Sequence, residues 1–473
     1  MSNPITHIDL KEIGYPEGYL IGIALKINKK RTGYNREEMI SHYRNVLASP
    51  DNYLEDKTFA PLAHALLNKD MPKDEDEIAL LETGKAYQIY GAEGIEPGAL
   101  KQMDIAMRLP VTVAGALMPD AHQGYGLPIG GVLATKNVVI PYGVGVDIGC
   151  RMALTVFDIP ESHFEENQAK YKRELVAHTK FGAGNGFQGN ERSDHAVLDR
   201  KEFGINSFVK NLQDKAWTQL GSSGGGNHFV EFGIIDFEKR DEILNINSGK
   251  YLALLTHSGS RGFGATVADY YTKLAKSLCK LPREAVNLAY LDLNTPEGNE
   301  YWLAMNLAGD YASACHEIIH NKLVKAIGGE VLAKIENHHN FAWKEIVNGE
   351  ELIVHRKGAT PASAGVMGII PGSMTASGFL VRGRGELASL NSASHGAGRQ
   401  MSRTHATKNI SRDEFKENLK AHQVSLIGAG LDEAPMAYKD IHKVMAAQSS
   451  LVDIVGKFSP RIVRMADDGS RED

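Results

Sequence analysis

The chain has 473 residues, of which 42% are hydrophobic and 23% charged, and its formal net charge is -6. This length allows one large domain or a core with an added segment, and the composition excludes a fibrous or disordered chain. No apolar run approaches the roughly 18 residues of a membrane span, and the start lacks a secretory signal, so we expect a cytoplasmic protein with no membrane partner. The cysteines, 3 in number and far apart, argue against a disulfide framework.

The first half of the chain changes texture along its length. Within the first 85 or so residues, helical patterns such as REEMISHYRNVLA predominate. From Val111 to Asp158, short apolar runs alternate with Gly and Pro and predict a strand-rich core. The polar segment from Glu161 to Trp217 predicts helices and a surface loop.

The second half alternates predicted strands and helices. Tyr251 to Leu255 is a buried-strand candidate, followed by the turn THSGSRGFG and a helix that begins near Ala265. A longer helix is predicted from about Tyr301 to Ile327, and the strand candidate ELIVHRKGA follows it. Two helices are predicted to close the chain, one with a capping box from Ser411 to Glu414 and the other from roughly Met436 to Val455.

These elements predict an α+β fold without internal repeats or low-complexity linkers. We expect residues 86–473 to form a single large domain with a central β-sheet core surrounded by helices. Residues 1–85 are expected to form an N-terminal helical addition.

The charge distribution bears on nucleic-acid binding. A negative net charge argues against a phosphate-bearing partner, because phosphate binding usually leaves a basic footprint. From Val381 to Ile410, however, Glu386 is the single acid, so this stretch is locally positive and suits a phosphodiester. Its basic residues are Arg382, Arg384, Arg399, Arg403 and Lys408.

Residue types that bind metals recur in glycine-rich and polar turns. In VGVDIGC, Asp147 and Cys150 lie on a glycine-bounded loop before a strand, and a thiolate beside a carboxylate suits a divalent metal. The histidines in similar turns are His228, His257, His338, His339 and His395. Any one of them is more often a hydrogen-bonded structural residue, but together with the acid and the thiolate they fit a two-metal site. Mixed ligation does not choose among Mn, Zn and Fe.

Eight separated strings occur in one order along the chain: MPDAHQGYGLPIGG, VGVDIGCRM, GGGNHFVE, HSGSRGFG, HHNFA, IIPGSM, SHGAGRQMSR and DEAPMAYKDI. In this order they closely resemble the RtcB-type RNA-splicing ligases, over roughly Gly84 to Val455. The resemblance implies an RtcB-like catalytic domain that uses GTP and two manganese ions. It also implies that an RNA 3′-phosphate or 2′,3′-cyclic phosphate end is joined to a 5′-hydroxyl end through a GMP-histidine intermediate. tRNA splicing or RNA repair is the implied role, and an accessory activating protein is a candidate partner.

The resemblance assigns the metal ligands. They are Asp147, Cys150, His228, His257 and His339. Cys150 is expected to bridge the two ions; the acid and the histidine of GGGNHFVE complete one site, and the histidines of HSGSRGFG and HHNFA the other. Within HHNFA, His339 is chosen over His338 because it directly precedes Asn340, as in the family.

His395, in SHGAGR, matches the family's covalent carrier of GMP. A neutral imidazole can attack the α-phosphate of GTP. The small residues Gly396, Ala397 and Gly398 leave the backbone free to approach phosphate, and Arg399 is expected to supply positive charge.

The resemblance further implies nucleotide-pocket positions at Asn227, Phe229, Glu231, Arg261, Ser373 and Tyr438. Asn227 is expected at the GTP phosphates, and Arg261 at the phosphates or the RNA end. Glu231 suits the N–H donors of guanine, with Phe229 packed nearby. Asp120 matches an acid near the attacking 5′-hydroxyl, which it is expected to orient or deprotonate.

The chain departs from the family pattern in two places. Family members generally finish with a Lys-Gly pair whose lysine touches the guanine, whereas no lysine follows Lys457 here. Guanine recognition therefore loses one expected contact, which leaves the strictness of the GTP preference open. In PGSMTASGF the family's second serine falls on Gly378, and only a one-residue shift would let Ser377 replace it.

Two alternative functions stay open. His316, Glu317 and His320 spell H-E-x-x-H in a helical stretch, which is the pattern of zinc metallopeptidases. An exposed or half-buried polar stripe on a helix is the commoner interpretation of such residues. The second alternative is a divergent family member that binds RNA ends or repairs other nucleic-acid ends, which the missing terminal lysine and the acidic net charge favour.

Overall fold

In a computed structural model the chain divides into two compact units, Met1–Glu77 and Ile78–Asp473. The structure describes residues 5–16, 19–30, 35–67 and 77–467. Of the residues after Lys457, on which the expected loss of a guanine contact depends, 468–473 lie outside these ranges. None of the helices described there combines the length and apolar character that crossing a bilayer requires.

The first unit is helical in its described parts. Its helices are α1 (His7–Glu12), α2 (Tyr19–Lys30), α3 (Arg36–Ala48) and α4 (Ala60–Leu66). Helix α3 coincides with the predicted REEMISHYRNVLA helix, and the Asn35 side chain caps it by accepting from the Glu37 N–H. Met39, Tyr43 and Val46 are buried at helical spacing. This unit therefore has an apolar core of its own.

The second unit mixes helices and strands. Its helices are α5 (Pro97–Met107), α6 (Pro141–Val144), α7 (Glu161–Glu166), α8 (Gln168–His178), α9 (Ser207–Lys210), α10 (Gln213–Gln219), α11 (Arg261–Leu278), α12 (Pro296–Ile327), α13 (Arg403–Asn409), α14 (Arg412–Ala421) and α15 (Ile441–Ala447). Its strands are β1 (Gln88–Ile89), β2 (Thr112–His122), β3 (Ile129–Thr135), β4 (Val138–Val139), β5 (Arg151–Pro160), β6 (Phe229–Phe237), β7 (Gly249–Ser258), β8 (Leu291–Asp292), β9 (Val331–His338), β10 (Phe341–Val347), β11 (Glu350–Lys357), β12 (Ala359–Pro361), β13 (Met367–Ile370), β14 (Gly378–Gly383), β15 (Ser392–Ser394), β16 (Ser425–Ile427) and β17 (Val452–Met465).

Two sheets organise this unit. The larger, with eight strands, has the order β13-β14-β17-β6-β7-β5-β9, and β16 pairs with β17 beside it. The smaller, with five strands, has the order β1-β2-β3-β11-β10. Alternate residues of β7 face opposite sides of the large sheet: Leu252 and Leu254 join a core that includes α8 and α12, while Ala253 and Leu255 pack with β13 and β14. The predicted α+β fold with a sheet core surrounded by helices is confirmed.

Four neighbouring strands of the large sheet bring distant turns together. Strands β6, β7, β5 and β9 are consecutive and antiparallel. The first residues of β5 and β6 therefore lie at the same sheet edge as the last residues of β7 and β9. His257 near the end of β7 pairs with Met152 on one side and Phe229 on the other, and Arg151 pairs with His338. The turns beside these residues therefore lie close together.

The prediction of a closing helix from Met436 to Val455 is wrong. Helix α15 covers only Ile441–Ala447, and the long strand β17 begins at Val452. Strand β17 lies between β14 and β6 in the large sheet, so pairing on both sides determines its conformation. Local helical pattern carries no information about that pairing.

Candidate active site

Five buried side chains meet at the sheet edge defined above. They are Asp147, Cys150, His228, His257 and His339. The acid and the cysteine lie in the turn before β5, and one histidine lies just before β6. The other two lie near the end of β7 and directly after β9. Antiparallel pairing of four strands thus gathers residues that are far apart in sequence.

The ligand atoms form two groups that share the Cys150 sulfur. Asp147, Cys150 and His228 make one group and Cys150, His257 and His339 the other, with the ligand atoms in each group within 4.8 Å of one another. Cys150 Sγ lies 3.1 Å from His257 Nε2 and 3.5 Å from His228 Nε2. His228 Nε2 lies 3.0 Å from Asp147 Oδ2, and His257 Nε2 lies 3.2 Å from His339 Nε2. The sulfur is therefore positioned between the two groups.

The protonation of these groups suits a cation. His257 Nδ1 lies 3.1 Å from the Asn227 carbonyl oxygen, which can only accept, so His257 Nε2 carries a lone pair directed at the cluster. Burial, followed by the neighbouring His228, lowers the pKa of His257 to about 3, and burial lowers the pKa of His339 well below its ordinary value. Burial raises the pKa of Asp147, but the hydrogen bonds and charges of His228, Cys150 and His257 together outweigh this and leave it lowered. The neutral imidazoles of His257 and His339, a sulfur and an ionised carboxylate crowded in a buried site fit divalent metal ions.

Glycines in the motif strings make room for this cluster. A Cβ at Gly259 would lie 2.0 Å from Asp147 Oδ1, and a Cβ at Gly224 would lie 2.1 Å from His228 Nδ1. The Ser260 backbone N–H also donates to Asp147 Oδ1 at 3.0 Å. The strings HSGSRGFG and GGGNHFVE are therefore glycine-rich because a side chain would occupy the place of a ligand.

His395 lies beside the cluster and is held by Asp120. Its ring centroid is 4.9 Å from that of His339. Asp120 Oδ2 lies 2.7 Å from His395 Nδ1 and also accepts from the backbone N–H groups of His395, at 3.2 Å, and Gly396, at 3.4 Å. Because this oxygen accepts backbone donors, Nδ1 also donates to it and the lone pair is on Nε2. Asp120 is fully buried, and its Oδ1 has no hydrogen-bond partner in the described structure.

The turn after His395 packs closely on strand β2. Gly398 has φ 72°, and a Cβ there would lie 2.1 Å from the Asp120 carbonyl oxygen. Ala397 is buried. Lys439, which sequence reasoning missed, donates from Nζ to the Ala121 carbonyl at 2.6 Å and to the Pro119 carbonyl at 3.3 Å. Lys439 thus fixes the backbone on both sides of Asp120, the acid that holds His395.

Three predicted nucleotide-pocket residues follow one another along the start of β6. The Asn227 side-chain oxygen is buried without a hydrogen-bond partner in the described residues. The Phe229 ring lies 5.7 Å from that of His257. Glu231 is buried, and burial raises its pKa well above its ordinary value. A buried carboxyl of this kind suits a ligand that brings its own N–H donors.

Two further pocket candidates lie at other turns. Arg261 is buried at the start of α11 and donates to the Gly182 carbonyl at 3.0 Å and to Ser222 Oγ at 3.2 Å. Ser373 lies in the turn after β13, where its hydroxyl accepts from the Ala376 N–H at 3.3 Å. Arg261 thus joins segments that are distant in sequence, whereas Ser373 stabilises its own turn.

Arg399 is paired with an acid that sequence reasoning missed. Its guanidinium lies 5.1 Å from the centroid of the Tyr438 ring and 3.5 Å from the buried carboxylate of Glu433. The Tyr438 hydroxyl donates to Glu433, and Arg403 pairs with both Glu433 and Asp432. The sequence signal, an acidic pair in DEAPMAYKDI, does not reveal these partners.

The other arginines of the basic stretch are also paired with distant acids. Arg382 lies 2.7 Å from Asp241, and Arg384 lies 3.9 Å from Asp453. The local positive field expected from the sequence is therefore largely offset. Chain folding, and not spacing along the chain, determines this outcome.

The H-E-x-x-H residues do not form a peptidase site. His316 lies 2.6 Å from Thr256 Oγ1 and 3.1 Å from the Ser258 carbonyl, and His320 bonds the same threonine and Thr155, both at 2.8 Å. All these ring nitrogens therefore have hydrogen-bond partners. Glu317 points elsewhere, 3.3 Å from His195 and 58% exposed. The expectation of an exposed or half-buried stripe is wrong for the two histidines, because α12 buries them against the large sheet.

The α+β fold and the buried cluster define a protein with a candidate divalent-metal centre next to an acid-bound histidine. A family model described as tRNA-splicing ligase RtcB matches residues 102–215 and 199–466. The chain therefore belongs to the RtcB family, and the predicted resemblance is confirmed.

Curated relatives agree with this assignment. The chain is 36% identical over 390 residues to RNA-splicing ligase RtcB of Escherichia coli strain K12, covering 76% of this chain and 92% of the relative. It is 30% identical over 433 residues to tRNA-splicing ligase RtcB of Nanoarchaeum equitans, covering 76% and 90%. It is also 30% identical over 448 residues to RNA-splicing ligase RtcB homolog 1 of Entamoeba histolytica, covering 78% and 84%.

Proposed function

We propose that this protein is an RNA ligase that joins a 3′-phosphate or 2′,3′-cyclic phosphate end to a 5′-hydroxyl end, with GTP and manganese, through GMP carried on His395. One observation carries the proposal. His395 Nδ1 is hydrogen-bonded to the buried carboxylate of Asp120, and the centroid of the His395 ring lies 4.9 Å from that of His339 in the cluster. Membership of a family whose relatives are named RNA-splicing ligases supports the RNA substrate.

The first step follows from the orientation of His395. With Nδ1 donating to Asp120, Nε2 attacks the α-phosphorus of GTP, a P–N bond forms, and pyrophosphate leaves. The imidazole gains positive charge as this bond forms, and the adjacent carboxylate stabilises it. Asp120 thus acts on the nucleophile. Its proposed action on the 5′-hydroxyl is supported by Oδ1, which has no hydrogen-bond partner among the described residues.

The cluster residues would hold two manganese ions, with Cys150 as the shared ligand. When bound, the ions would neutralise negative charge on the phosphates at His395. The lowered pKa values of His257, His339 and Asp147 favour the proton-free forms that act as ligands.

Two further steps complete the join. An oxygen of the RNA 3′-phosphate attacks the α-phosphorus of the bound GMP, and the P–N bond to His395 breaks. The 5′-hydroxyl oxygen then attacks the RNA 3′-phosphorus, the phosphodiester forms, GMP leaves, and the hydroxyl proton passes to a base or to water. A cyclic phosphate is first hydrolysed to a 3′-phosphate.

The proposed GTP pocket comprises Asn227, Phe229, Glu231, Arg261, Ser373, Gly396, Ala397, Gly398, Arg399 and Tyr438. Guanine offers two N–H donors to the Glu231 carboxyl, which would lower its raised pKa and restore its charge. Arg399 and Arg403 pair with Glu433. These arginines would either bind a phosphate of GTP in addition to Glu433 or line the pocket without contacting phosphate.

We place catalysis in the RtcB-like domain, proposed as residues 86–473, and treat residues 1–85 as a helical addition. The proposed setting is the cytoplasm, in tRNA splicing or RNA repair, with an accessory activating protein as a candidate partner. The position of the cluster in the second unit supports this division.

Covalent labelling tests the proposal. Incubation with manganese and GTP labelled at the α-phosphate is expected to leave label on the protein. His395→Ala should abolish the label and keep the bound metal, whereas His405→Ala, an exposed histidine in the same segment, should keep both. Label that persists in His395→Ala contradicts the proposal.

Metal analysis tests the proposed binding of two manganese ions. Cys150→Ala removes the sulfur shared by the two groups and is expected to abolish paired manganese, measured as metal per chain after dialysis. Cys279→Ala, at a buried cysteine outside both groups, should retain it. The alternative, binding of RNA ends without ligation, predicts RNA binding and metal but no label in the unsubstituted protein.

A further inference from the structure

An exposed tyrosine lies in the loop that follows the strand carrying Asp120. Tyr125, in the loop between β2 and β3, is 68% exposed. Its ring stacks on that of the half-buried Tyr142, with centroids 6.1 Å apart and planes inclined by 26°. One face of a large aromatic ring is thus supported by protein, and much of the remaining surface is open to solvent.

The backbone beneath this ring is fixed. The Gly124 carbonyl accepts from Gln102 Nε2 at 2.6 Å, and the Gly124 N–H donates to Gln102 Oε1 at 3.0 Å. The Tyr125 carbonyl accepts from Lys357 Nζ at 2.6 Å. Gly126 has φ 73°, and a Cβ there would lie 2.7 Å from the Asn287 carbonyl oxygen. The loop therefore presents the ring in one place, which lowers the entropy cost of stacking a ligand on it.

Two lysine side chains lie beneath the stack. Lys357 Nζ is 5.0 Å and Lys276 Nζ is 5.4 Å from the centroid of the Tyr142 ring. Lys357 also donates to the Tyr142 carbonyl at 3.1 Å. Because burial lowers the pKa of Lys357 to about 7, Lys276 is the lysine that offers positive charge here. A cation beside an aromatic stack favours a ligand that combines a flat ring with negative charge.

Chain neighbours connect this stack to His395. Gly358, the residue after Lys357, approaches the His395 ring so closely that a Cβ there would lie 3.2 Å from His395 Cε1. The Gly358 N–H donates to Asn340, which follows the cluster residue His339. The loop that carries Tyr125 also begins directly after the strand that holds Asp120. The loop that carries the exposed ring is therefore linked to the residues around His395 through Lys357 and Gly358.

We infer that Tyr125 is a stacking platform for a base of the RNA near the ends that are joined. This inference rests on the proposed function for its substrate, RNA. Stacking on a ring without hydrogen bonds to the base edge accepts any of the four bases, so the platform would position the strand without reading its sequence. A ligase that acts on ends of varied sequence needs such contacts.

RNA binding by the full chain, without GTP or manganese, tests the inference. The probes are two short single-stranded RNAs, one with a 3′-phosphate and one with a 5′-hydroxyl, together with versions that lack individual bases near that end. Tyr125→Ala is expected to weaken binding of at least one intact RNA about 5- to 100-fold. Tyr125→Phe, which keeps the ring, should restore binding to within about twofold.

Removing a base separates stacking from general loss of structure. If the ring stacks on that base, the Tyr125→Ala substitution and the removal of the base each weaken RNA binding. Combining the two changes then weakens binding little further. The matched control is Tyr270→Ala, at another exposed tyrosine stacked on a ring, Phe208. Equal binding by Tyr125→Ala and the unsubstituted protein, or additive losses with every base-free RNA, overturns the inference. Because binding is measured without GTP, this outcome is distinct from failure of the label to form on His395.

Discussion

At the scale of single residues, Asp120 links the strand β2 to the proposed nucleophile. Its Oδ2 accepts from the His395 ring and from two backbone N–H groups, so the acid fixes both the position and the tautomer of the ring. Asp120→Asn keeps the size of the side chain but removes its charge. We expect GMP uptake from labelled GTP to slow about 10²- to 10⁴-fold, because the imidazole gains positive charge in that step.

Metal content distinguishes this role from a structural one. Asp120→Asn should bind as much manganese as the unsubstituted protein, since Asp120 belongs to neither ligand group. Asp440→Asn is the matched control, because Asp440 caps α15 and asparagine is an equally good cap. An unchanged rate of GMP uptake in Asp120→Asn would show that the carboxylate has no electrostatic part in the step.

Lys357 is a buried amine with backbone carbonyls as acceptors, and burial lowers its pKa from 10.5 to about 7. Between these two values the unfolded chain holds a proton that the folded chain has released. The free energy of unfolding therefore rises with pH through this window, and the contribution is absent below about pH 7. Lys357→Met removes the titrating group and should reduce that rise by up to about 3 kcal/mol.

Denaturant unfolding at about pH 7 and about pH 9.5 measures this difference. Lys273→Met, at a lysine that is exposed and paired with Asp269, should keep the rise of the unsubstituted protein. The same rise in Lys357→Met and in the unsubstituted protein would mean that Lys357 keeps its proton throughout.

At the scale of elements, the close approach of the SHGAGR turn to strand β2 requires glycine. Gly398 and Gly349 both have positive φ, 72° and 83°. A Cβ at Gly398 meets the Asp120 carbonyl at 2.1 Å, whereas a Cβ at Gly349 meets nothing within 4 Å. Gly349→Ala should therefore cost only the conformational penalty of about 1 kcal/mol.

Gly398→Ala should cost clearly more and also displace the turn from Asp120. Thermal unfolding measures the first effect, and GMP uptake measures the second, which we expect to fall at least about tenfold. Similar stability and similar GMP uptake in the two variants would show that the turn moves without consequence for His395.

Local pattern predicted the elements whose sequence signals are strong. Helix α12 was expected from Tyr301 and begins at Pro296, and the cap of α14 is the predicted one, with Ser411 accepting from the Glu414 N–H. Strand β17 was missed because its conformation depends on pairing with β14 and β6. Propensity in a window of sequence cannot express that dependence.

At the scale of the whole molecule, the residues of the candidate site can be predicted from the sequence, but the side chains that surround them cannot. The motif strings single out the cluster residues because glycines beside the ligands are required by space, as at Gly259. The partners of Arg399 and the clamp made by Lys439 are side chains brought together by folding, and no spacing rule reveals them. The buried state of His316 and His320 is likewise a product of packing between α12 and the large sheet.

The division into two units leads to a last prediction. The core cluster that includes Tyr43 and Leu62 consists of residues of the first unit. The cores around the cluster consist of residues after Glu77. Because each unit has its own core, a fragment from Ile78 onward should fold and keep both the paired metal and the label on His395.

Circular dichroism, metal content and GMP uptake measure these properties of the fragment, and the same fragment with His395→Ala is the control. Since every cluster ligand and the acid that holds His395 come from the second unit, label per folded chain should stay within about twofold of the full chain. A folded fragment that binds metal but takes up no label would assign the first 77 residues a part in the reaction that their helices do not suggest.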